Sequence, residues 1–395
     1  MATLDLDWLI LGGGVHGTLL SRFLLATQRV ARSRLRVLDP HPQPLAQWQH
    51  CARSVGMRYM RSPSVHHIDV PSFSMRKFAD ATQVSPRDFV EPYHRPRVDV
   101  FDSHCRWVID AHDLEELRLQ GTATDLRRAG EGWCVHTDAG ELRSRRVVLA
   151  LGSTHGLAWP SWAQDLDAPG RIEHVLDPGF SRDDVATTDD VAIVGGAISA
   201  AQLALALAAQ PGRTGGVQVL ARRAPRTRQF DTDPGWLGPR YLAGFQRQPC
   251  LRERRRMIDR ARGGGTIPPQ EWRRIRRAMA RGVLSWHHAE VAAAWMHPLD
   301  CRLDLRLRSG QGLRVDRVLL ATGFDRRRPV PAWLEAAALA LELPRAPCGA
   351  PVLDAHLQWA PGLGVTGPGA ELVLGPAARN VSGARMAADR LRALA

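Results

Sequence analysis

Lysine is almost absent from this chain. Lys77 is the only one among 395 residues, although lysine and arginine together number 53 against 40 acidic residues. The net charge of +13 is therefore almost entirely arginine, which is more typical of a GC-rich genome than of a surface selected to bind nucleic acid. None of the familiar nucleic-acid-binding modules is present. We expect no nucleic-acid partner and interpret the densest basic stretches, RERRRMIDRARGGG and EWRRIRRAMARG, as solvated helix faces, with attraction of an acidic ligand left open.

Cysteine and long apolar runs are also scarce. The six cysteines show no CxxC or other metal-ligand spacing, which disfavours a disulfide reductase and predicts no metal site. No G-x-S-x-G elbow indicates a serine hydrolase. No apolar run is long enough to cross a bilayer, and no signal-peptide pattern opens the chain. The sequence therefore predicts a soluble, cytoplasmic protein without a membrane partner.

Glycine, in contrast, is abundant, and the stretch LILGGGVHGTLL places it between an apolar run and a helical run. Gly12, Gly14 and Gly17 have the spacing of the dinucleotide fingerprint, in which glycines allow a tight turn, close approach of a pyrophosphate and close helix packing. An ordinary glycine-rich turn has the same pattern. Asp39 ends the next predicted strand, somewhat beyond the nominal ~20 positions for a ribose-binding acid. It could also be a turn residue, but strand and acid together favour a dinucleotide site.

A related unit, VAIVGGAISAAQ, occurs much later in the chain. Its fingerprint positions hold Gly195, Ala197 and Ala200, so the middle glycine is replaced by alanine. A tight turn without a ligand is one interpretation. Arg222 and Arg223 end the following predicted strand, where guanidinium groups suit a 2′-phosphate, and they favour an NADPH site. Strands alternating with helices throughout the chain predict an α/β, doubly wound fold.

The order of several segments resembles the class B flavin monooxygenases, the group that contains the lysine and ornithine N-hydroxylases. Besides the two glycine loops and LLATGF, the similar segments are GMRYMRSP, RPRVDVFDSHCRWVI, PGRIEHVLDPG, ARRAPRTRQFDTDPGWLGPRYLAGF and LGPAARNVSGARMAA. The resemblance implies two Rossmann-like dinucleotide-binding domains. Residues 1–180 and 326–395 would bind FAD, and residues 181–325 would form an inserted NADPH domain with a basic helical insertion at about 246–285.

The resemblance also implies roles for individual residues. Those implied at FAD are Gly12, Gly14, Gly17, Asp39, Met60, Arg61 and Asn380. Those implied at NADPH are Gly195, Ala197, Ser199, Arg222 and Arg223. Arg61, His66 and His67 are candidates beside the flavin ring, where a histidine could donate a hydrogen bond or relay a proton. Adjacent histidines on a strand point to opposite faces, so His66 and His67 do not by themselves predict a metal site.

In the mechanism that the resemblance implies, NADPH reduces FAD, O2 adds at flavin C4a, and the hydroperoxide oxygenates a nucleophilic nitrogen or sulfur. The partners would be O2 and a small substrate, with amino-acid-like molecules included. N-hydroxylases carry an asparagine-containing segment that binds the amino acid, whereas RGGGTIPPQEW here has none. Two alternatives stay open. One is another FAD/NAD(P)H oxidoreductase, such as an oxidase, a reductase or a Baeyer–Villiger enzyme. The other is a non-turnover redox sensor or partner-binding protein.

Overall fold

The structure, a computed structural model, describes residues 5–27, 30–153, 156–164, 166–325 and 330–392. Within these residues the chain forms eighteen strands and twelve α-helices, numbered here in chain order. The strands are β1 (Asp5–Leu11), β2 (Leu35–Asp39), β3 (Phe89–Val90), β4 (Arg95–Pro96), β5 (Arg118–Gln120), β6 (Ala123–Ala129), β7 (Gly132–Thr137), β8 (Gly140–Leu149), β9 (Ile172–His174), β10 (Val191–Val194), β11 (Val217–Ala221), β12 (Ser285–His288), β13 (Val291–Met296), β14 (Leu303–Leu307), β15 (Gly312–Val315), β16 (Arg317–Leu320), β17 (Gln358–Ala360) and β18 (Leu363–Val365). The helices are α1 (Val15–Thr27), α2 (Ala46–Ser54), α3 (Ser74–Ala81), α4 (Val98–Ala111), α5 (Ser161–Gln164), α6 (Ile198–Ala208), α7 (Pro239–Arg247), α8 (Leu251–Arg262), α9 (Pro269–Ala280), α10 (Ala332–Ala340), α11 (Glu371–Leu374) and α12 (Val381–Leu391).

The first sheet has eight strands and is centred on β1. Its main path runs β17-β18-β8-β1-β2-β5, and β7 and β6 extend it as antiparallel strands from β8. Strand β1 is parallel to both neighbours, with Ile10 opposite Val37 and Val148. Its apolar residues are buried because helices and further strands cover both faces, as expected for a central parallel strand. Strand β18 joins from the C-terminal part of the chain, so two separate segments build this sheet.

The second sheet has five parallel strands in the order β12-β11-β10-β16-β9. Helix α6 follows β10 and packs against α9, and the antiparallel strands β13, β14 and β15 form a separate three-stranded sheet. The two sheets confirm the α/β prediction. Strand β9 pairs with β16 although it precedes the predicted boundary at residue 181. The other predicted boundary, at residue 326, lies outside the described residues.

Side chains from both halves meet at the junction between the two sheets. The carbonyl of Asp177 lies 2.7 Å from Nε2 of His50 on α2. Arg182 donates to the carbonyl of Arg53 at 3.0 Å. Helices α7 and α8 share an apolar cluster with the C-terminal part of the chain, where Leu372 is buried beside Trp236. Within the described residues, no helix combines the length and apolarity needed to cross a membrane.

Candidate functional site

The first glycine loop connects β1 to α1, and its three fingerprint glycines have different surroundings. A Cβ on Gly12, whose φ is +112°, would lie 2.4 Å from the carbonyl oxygen of Ala150. One on Gly17 would lie 1.8 Å from the carbonyl oxygen of Gly12. A Cβ on Gly14 would have no neighbour within 4 Å. Packing therefore requires the first and last glycines, whereas Gly14 faces open space, as close approach by a ligand demands.

Asp39 closes this loop from the end of β2. Its carboxylate accepts hydrogen bonds from the backbone N–H groups of Gly13, at 2.6 Å, and His41, at 2.9 Å. Arg118 on β5 lies over Gly13 and donates to the carbonyl of His41. The second terminal nitrogen of Arg118, Nη1, is buried without a hydrogen-bond partner among the described residues. Sequence reasoning missed Arg118, because only the pairing of β5 with β2 brings it to the loop.

The C-terminal segment returns to this loop, where the family resemblance placed Asn380. The Nδ1 atom of His16, at the start of α1, lies 2.8 Å from the hydroxyl of Thr366. Burial lowers the pKa of His16 to about 4, and the nearby backbone of Arg379 and Asn380 partly opposes this shift. Helix α12 begins directly after Asn380 and packs along α1. Asn380 therefore lies beside the first glycine loop.

Met60 is buried in the core of the first sheet's domain. Its N–H donates to the carbonyl of Pro96 at 2.8 Å, and its own carbonyl accepts from Arg95 at 3.1 Å. Arg95 also donates to the side chain of Gln270 on α9. These contacts hold Met60 in place between the two halves of the molecule. Its contact with a flavin ring stays a prediction.

Arg61 connects the two halves more directly. Its guanidinium donates to the carbonyls of Gln229, at 2.8 Å, and Arg228, at 3.0 Å, and to the hydroxyl of Thr266 at 2.5 Å. Asp231 lies 3.8 Å away. Burial lowers the pKa of Arg61 to about 10, although Asp231 favours the charged form. The side chain is therefore engaged by the segment after β11, and its role beside a flavin stays a prediction.

His66 and His67 lie in different surroundings. His67 is buried, with Nε2 3.1 Å from the carbonyl oxygen of Ser72 and Nδ1 accepting from the N–H of Asp69. Its ring packs 5.1 Å from that of His104. His66 is only partly buried. Burial lowers the pKa of both rings. His67 thus belongs to a buried polar network, and a proton-relay role for either histidine stays a prediction.

The second glycine loop connects β10 to α6. A Cβ on Gly195, whose φ is +155°, would lie 2.5 Å from the carbonyl oxygen of Ala321. Ala197 immediately precedes α6, and Ser199 lies in its first turn. The methyl group of Ala197 would be only 2.7 Å from a Cβ on Gly265. The backbone at Gly265 therefore lies close to Ala197, which is the position that a bound pyrophosphate would have to approach.

Arg222 and Arg223 follow β11 and are exposed. The carbonyl oxygen of Arg222 lies 3.2 Å from Nε2 of His288. The Nη1 atom of Arg223 is 2.8 Å from the place of a Cβ on Gly264. Residues 263–265, which we call the triglycine loop, have φ values of +57°, +87° and +94°. Sequence reasoning missed this loop's position over the second glycine loop, because it depends on the fold of α8 and α9.

A buried carboxylate organises the basic helix α8. Glu371 lies 2.9 Å from Arg255, 3.8 Å from Arg262 and 2.5 Å from Arg379. Arg262 also pairs with Asp231 at 2.7 Å. The guanidinium groups keep the pKa of Glu371 below its ordinary value despite burial. The prediction of a solvated helix face is therefore wrong for Arg255 and Arg262, which face the C-terminal segment.

One group of side chains on the β7–β8 hairpin has metal-ligand chemistry. The donor atoms of Cys134, His136 and Glu141 lie within 4.8 Å of one another. Arg127 and Arg143 stand opposite Cys134 on the adjacent strands. Their positive charge opposes a bound cation, so we assign no ligand to this group.

Comparisons with known proteins agree with this geometry. A family model described as FAD-NAD(P)-binding matches residues 9–154, which include the first glycine loop. A search of curated proteins finds no significant match.

Solved structures share the fold over nearly the whole chain. One is the FAD-bound cadaverine monooxygenase DfoA of desferrioxamine biosynthesis from Erwinia amylovora. It has a TM-score of 0.77 and 15% identity, with 98% of this chain and 93% of that chain covered. Another is the ornithine hydroxylase PvdA from Pseudomonas aeruginosa, with a TM-score of 0.76, 17% identity and 98% of each chain covered. The bacillithiol disulfide reductase Bdr from Staphylococcus aureus has a TM-score of 0.64 and 14% identity, with 99% and 98% covered. At these identities the likeness shows the fold alone.

Proposed function

We propose that this protein is an FAD- and NADPH-dependent monooxygenase that uses O2 to oxygenate a nucleophilic nitrogen or sulfur of a small substrate, such as an amine or an amino acid. The observation that carries the proposal is the first glycine loop, in which Gly14 faces open space between two glycines that packing requires. A second parallel sheet with its own glycine loop supports a second dinucleotide. The fold shared with N-hydroxylating enzymes supports the reaction class.

The first loop fits FAD. The N-terminus of α1 offers backbone N–H groups and a favourable dipole to a pyrophosphate, and Gly14 permits its approach. Asp39 would accept a hydrogen bond from the ribose. The buried, unpartnered Nη1 of Arg118 would donate to the same part of the cofactor. Bound flavin supplies the redox chemistry, while the chain binds it, orients it and excludes water.

The second loop fits NADPH only in part. Arg222 and Arg223 are exposed at the end of β11, where they would pair with a 2′-phosphate. Gly195 lies at the first fingerprint position, and Ser199 lies in the first turn of α6. The triglycine loop, however, lies close to Ala197, where it would obstruct a bound pyrophosphate. We therefore assign NADPH to the second sheet on condition that this loop moves aside.

The proposal includes the cellular setting and the division of the chain. All six cysteines are unpaired, which supports a reducing compartment such as the cytoplasm. We assign FAD to the sheet centred on β1 and NADPH to the sheet centred on β10.

Coupling of NADPH oxidation to product formation tests the proposal. Purified protein supplied with FAD, NADPH, O2 and a panel of amines, amino acids and thioethers should form oxygenated product in step with NADPH use. Hydrogen peroxide as the only product throughout would contradict a monooxygenase and favour an oxidase.

A second candidate is a flavin protein without turnover, such as a redox sensor. The proximity of Gly265 to Ala197 favours it, because the triglycine loop would obstruct a pyrophosphate at the second glycine loop. A reductase or other oxidoreductase also fits the fold, as the likeness to the bacillithiol disulfide reductase illustrates. In a sensor, the bound flavin would not be reduced by NADPH.

A further inference from the structure

A groove separate from both glycine loops lies between the segment after β11 and helix α8. Its volume is about 720 Å³. Its lining comes from the segment after β11, from Tyr241 on α7 and from Met257, Arg260 and Ala261 on α8. In the sequence these lining residues belong to the segments ARRAPRTRQFDTDPGWLGPRYLAGF and RERRRMIDRARGGG, and none of them is assigned to a cofactor.

The wall of this groove is attached to the half of the molecule that we assign to FAD. Arg61 donates to the carbonyls of Gln229 and Arg228, so those two residues stand between Arg61 and the groove. The ring of Phe230 packs edge-on against Tyr93 at 4.8 Å. The groove therefore lies beside the junction of the two halves of the molecule.

The apolar part of the groove is largely aromatic. Trp236 and Tyr241 have ring centroids 5.5 Å apart. Phe230 and the flexible thioether of Met257 add to the same lining. Flat rings and a methionine offer large contact areas to an aromatic or bulky apolar ligand. They offer little to a short polar chain.

The polar part of the groove is rich in donors. The Nε2 atom of Gln229 is buried without a hydrogen-bond partner, a state that is rare unless a ligand or water completes it. No ion pair engages Arg228 among the described residues, whereas Arg260 pairs with Glu253 at 2.5 Å. The carboxylate of Asp233 accepts from the N–H of Gly235. An anionic group would meet several donors here, and a cationic amine only one acidic side chain.

We infer that this groove is the substrate site and that its ligand has an aromatic or bulky apolar body with one anionic group. The inference rests on the proposed function, and it narrows the substrate class. Short aliphatic diamines, such as the cadaverine of a structural relative, lack both features.

Binding to the full-length, flavin-loaded protein tests this inference without turnover. The probe is 4-aminophenylacetate, which has an aromatic ring, a nucleophilic nitrogen and a carboxylate. By isothermal titration calorimetry it should bind at least about tenfold more tightly than 4-methylaniline, which lacks the carboxylate. It should also bind at least about tenfold more tightly than cadaverine, which lacks the ring and the negative charge.

Variants locate the binding. Arg228→Gln and Gln229→Leu should each weaken binding of the probe about fivefold or more, because each removes a donor at the groove. Arg247→Gln is the matched control. Arg247 is exposed at the end of α7 and does not line the groove, so its loss should leave affinity unchanged.

Two outcomes would overturn the inference, and a different one would overturn the proposed function. Cadaverine binding more tightly than the probe, or equal losses in Arg228→Gln and Arg247→Gln, would overturn the assignment of this groove. Failure of NADPH to reduce the flavin with any ligand bound would overturn the proposed function, whatever the groove binds.

Discussion

At the scale of single residues, replacing different glycines of the first loop should affect either cofactor binding or the stability of the fold. Gly14→Val should leave a folded protein without flavin, because its side chain enters open space where the pyrophosphate would lie. Gly17→Ala should destabilise the fold by about 1–3 kcal/mol, since its Cβ would overlap the carbonyl of Gly12. Flavin absorbance per protein and thermal unfolding of the apoprotein measure the two effects. Full flavin occupancy in Gly14→Val would show that FAD does not bind at this loop.

Arg222 and Arg223 carry the prediction of cofactor preference. Each charge-assisted contact with a 2′-phosphate is worth roughly 1.5–3 kcal/mol, so NADPH should be preferred over NADH by at least about tenfold. Replacing both arginines with alanine should remove most of that preference in flavin-reduction assays. The control is the same double replacement at Arg276 and Arg277, which are exposed on α9. It should leave the preference for NADPH over NADH unchanged. Equal use of the two nucleotides by the unaltered protein would contradict the assignment.

Buried histidines make the fold sensitive to acid. Burial lowers the pKa of His104 to about 3 and that of His174 to about 4. Between pH 6.5 and about 4 the unfolded chain therefore binds more protons, and the free energy of unfolding falls as the pH is lowered through this window. Each histidine contributes a slope of up to about 1.4 kcal/mol per pH unit. Asp102, whose pKa burial raises to about 6, acts in the opposite direction.

Urea unfolding across that pH window measures the effect. His104→Gln should give a shallower decline in stability than the unaltered protein, because one of the titrating groups is gone. Gln202→Leu, at a buried side chain that does not titrate, is the control and should keep the original slope. An unchanged slope in His104→Gln would contradict the argument from burial.

At the scale of elements, strands β1, β10 and β16 could be predicted because each contains an uninterrupted apolar run and is followed within three residues by a glycine. The burial of part of the basic face of α8 could not be predicted. An arginine-rich helix has the same sequence pattern whether its guanidinium groups face solvent or pair with Glu371. Strand β9 was missed because three residues carry little periodicity. The fingerprint glycines were visible in the sequence, whereas Arg118 and the triglycine loop reach the two sites only through tertiary contacts.

The triglycine loop gives a prediction at this scale. Gly265→Ala would place a Cβ 2.7 Å from the Ala197 methyl at a φ of +94°, so the loop should shift off the second glycine loop. The substitution should destabilise the loop by about 1 kcal/mol or more where it lies beside Ala197. Because the loop then obstructs the site less, NADP⁺ should bind roughly fivefold more tightly, as measured by calorimetry. Gly282→Ala is the control, because it has a φ of +72° and no neighbour within 4 Å. Weaker NADP⁺ binding in Gly265→Ala would instead make the loop part of the binding site.

At the scale of the whole molecule, the two main sheets are connected by charged contacts as well as apolar packing. Asp231 lies between Arg61, from the half assigned to FAD, and Arg262 at the end of α8. Arg262 in turn approaches Glu371 on the C-terminal segment, which returns to the first glycine loop. This chain of contacts joins the two halves of the molecule beside the wall of the groove. The proposed function requires electrons to cross this junction from NADPH to flavin.

Rapid anaerobic mixing of the flavin-loaded protein with NADPH tests that requirement most directly. The flavin absorbance should be lost quickly with NADPH and much more slowly with NADH, and it should return when O2 is admitted. A flavin that stays oxidised in the presence of NADPH would contradict the central claim and leave a flavin-binding protein that does not turn over.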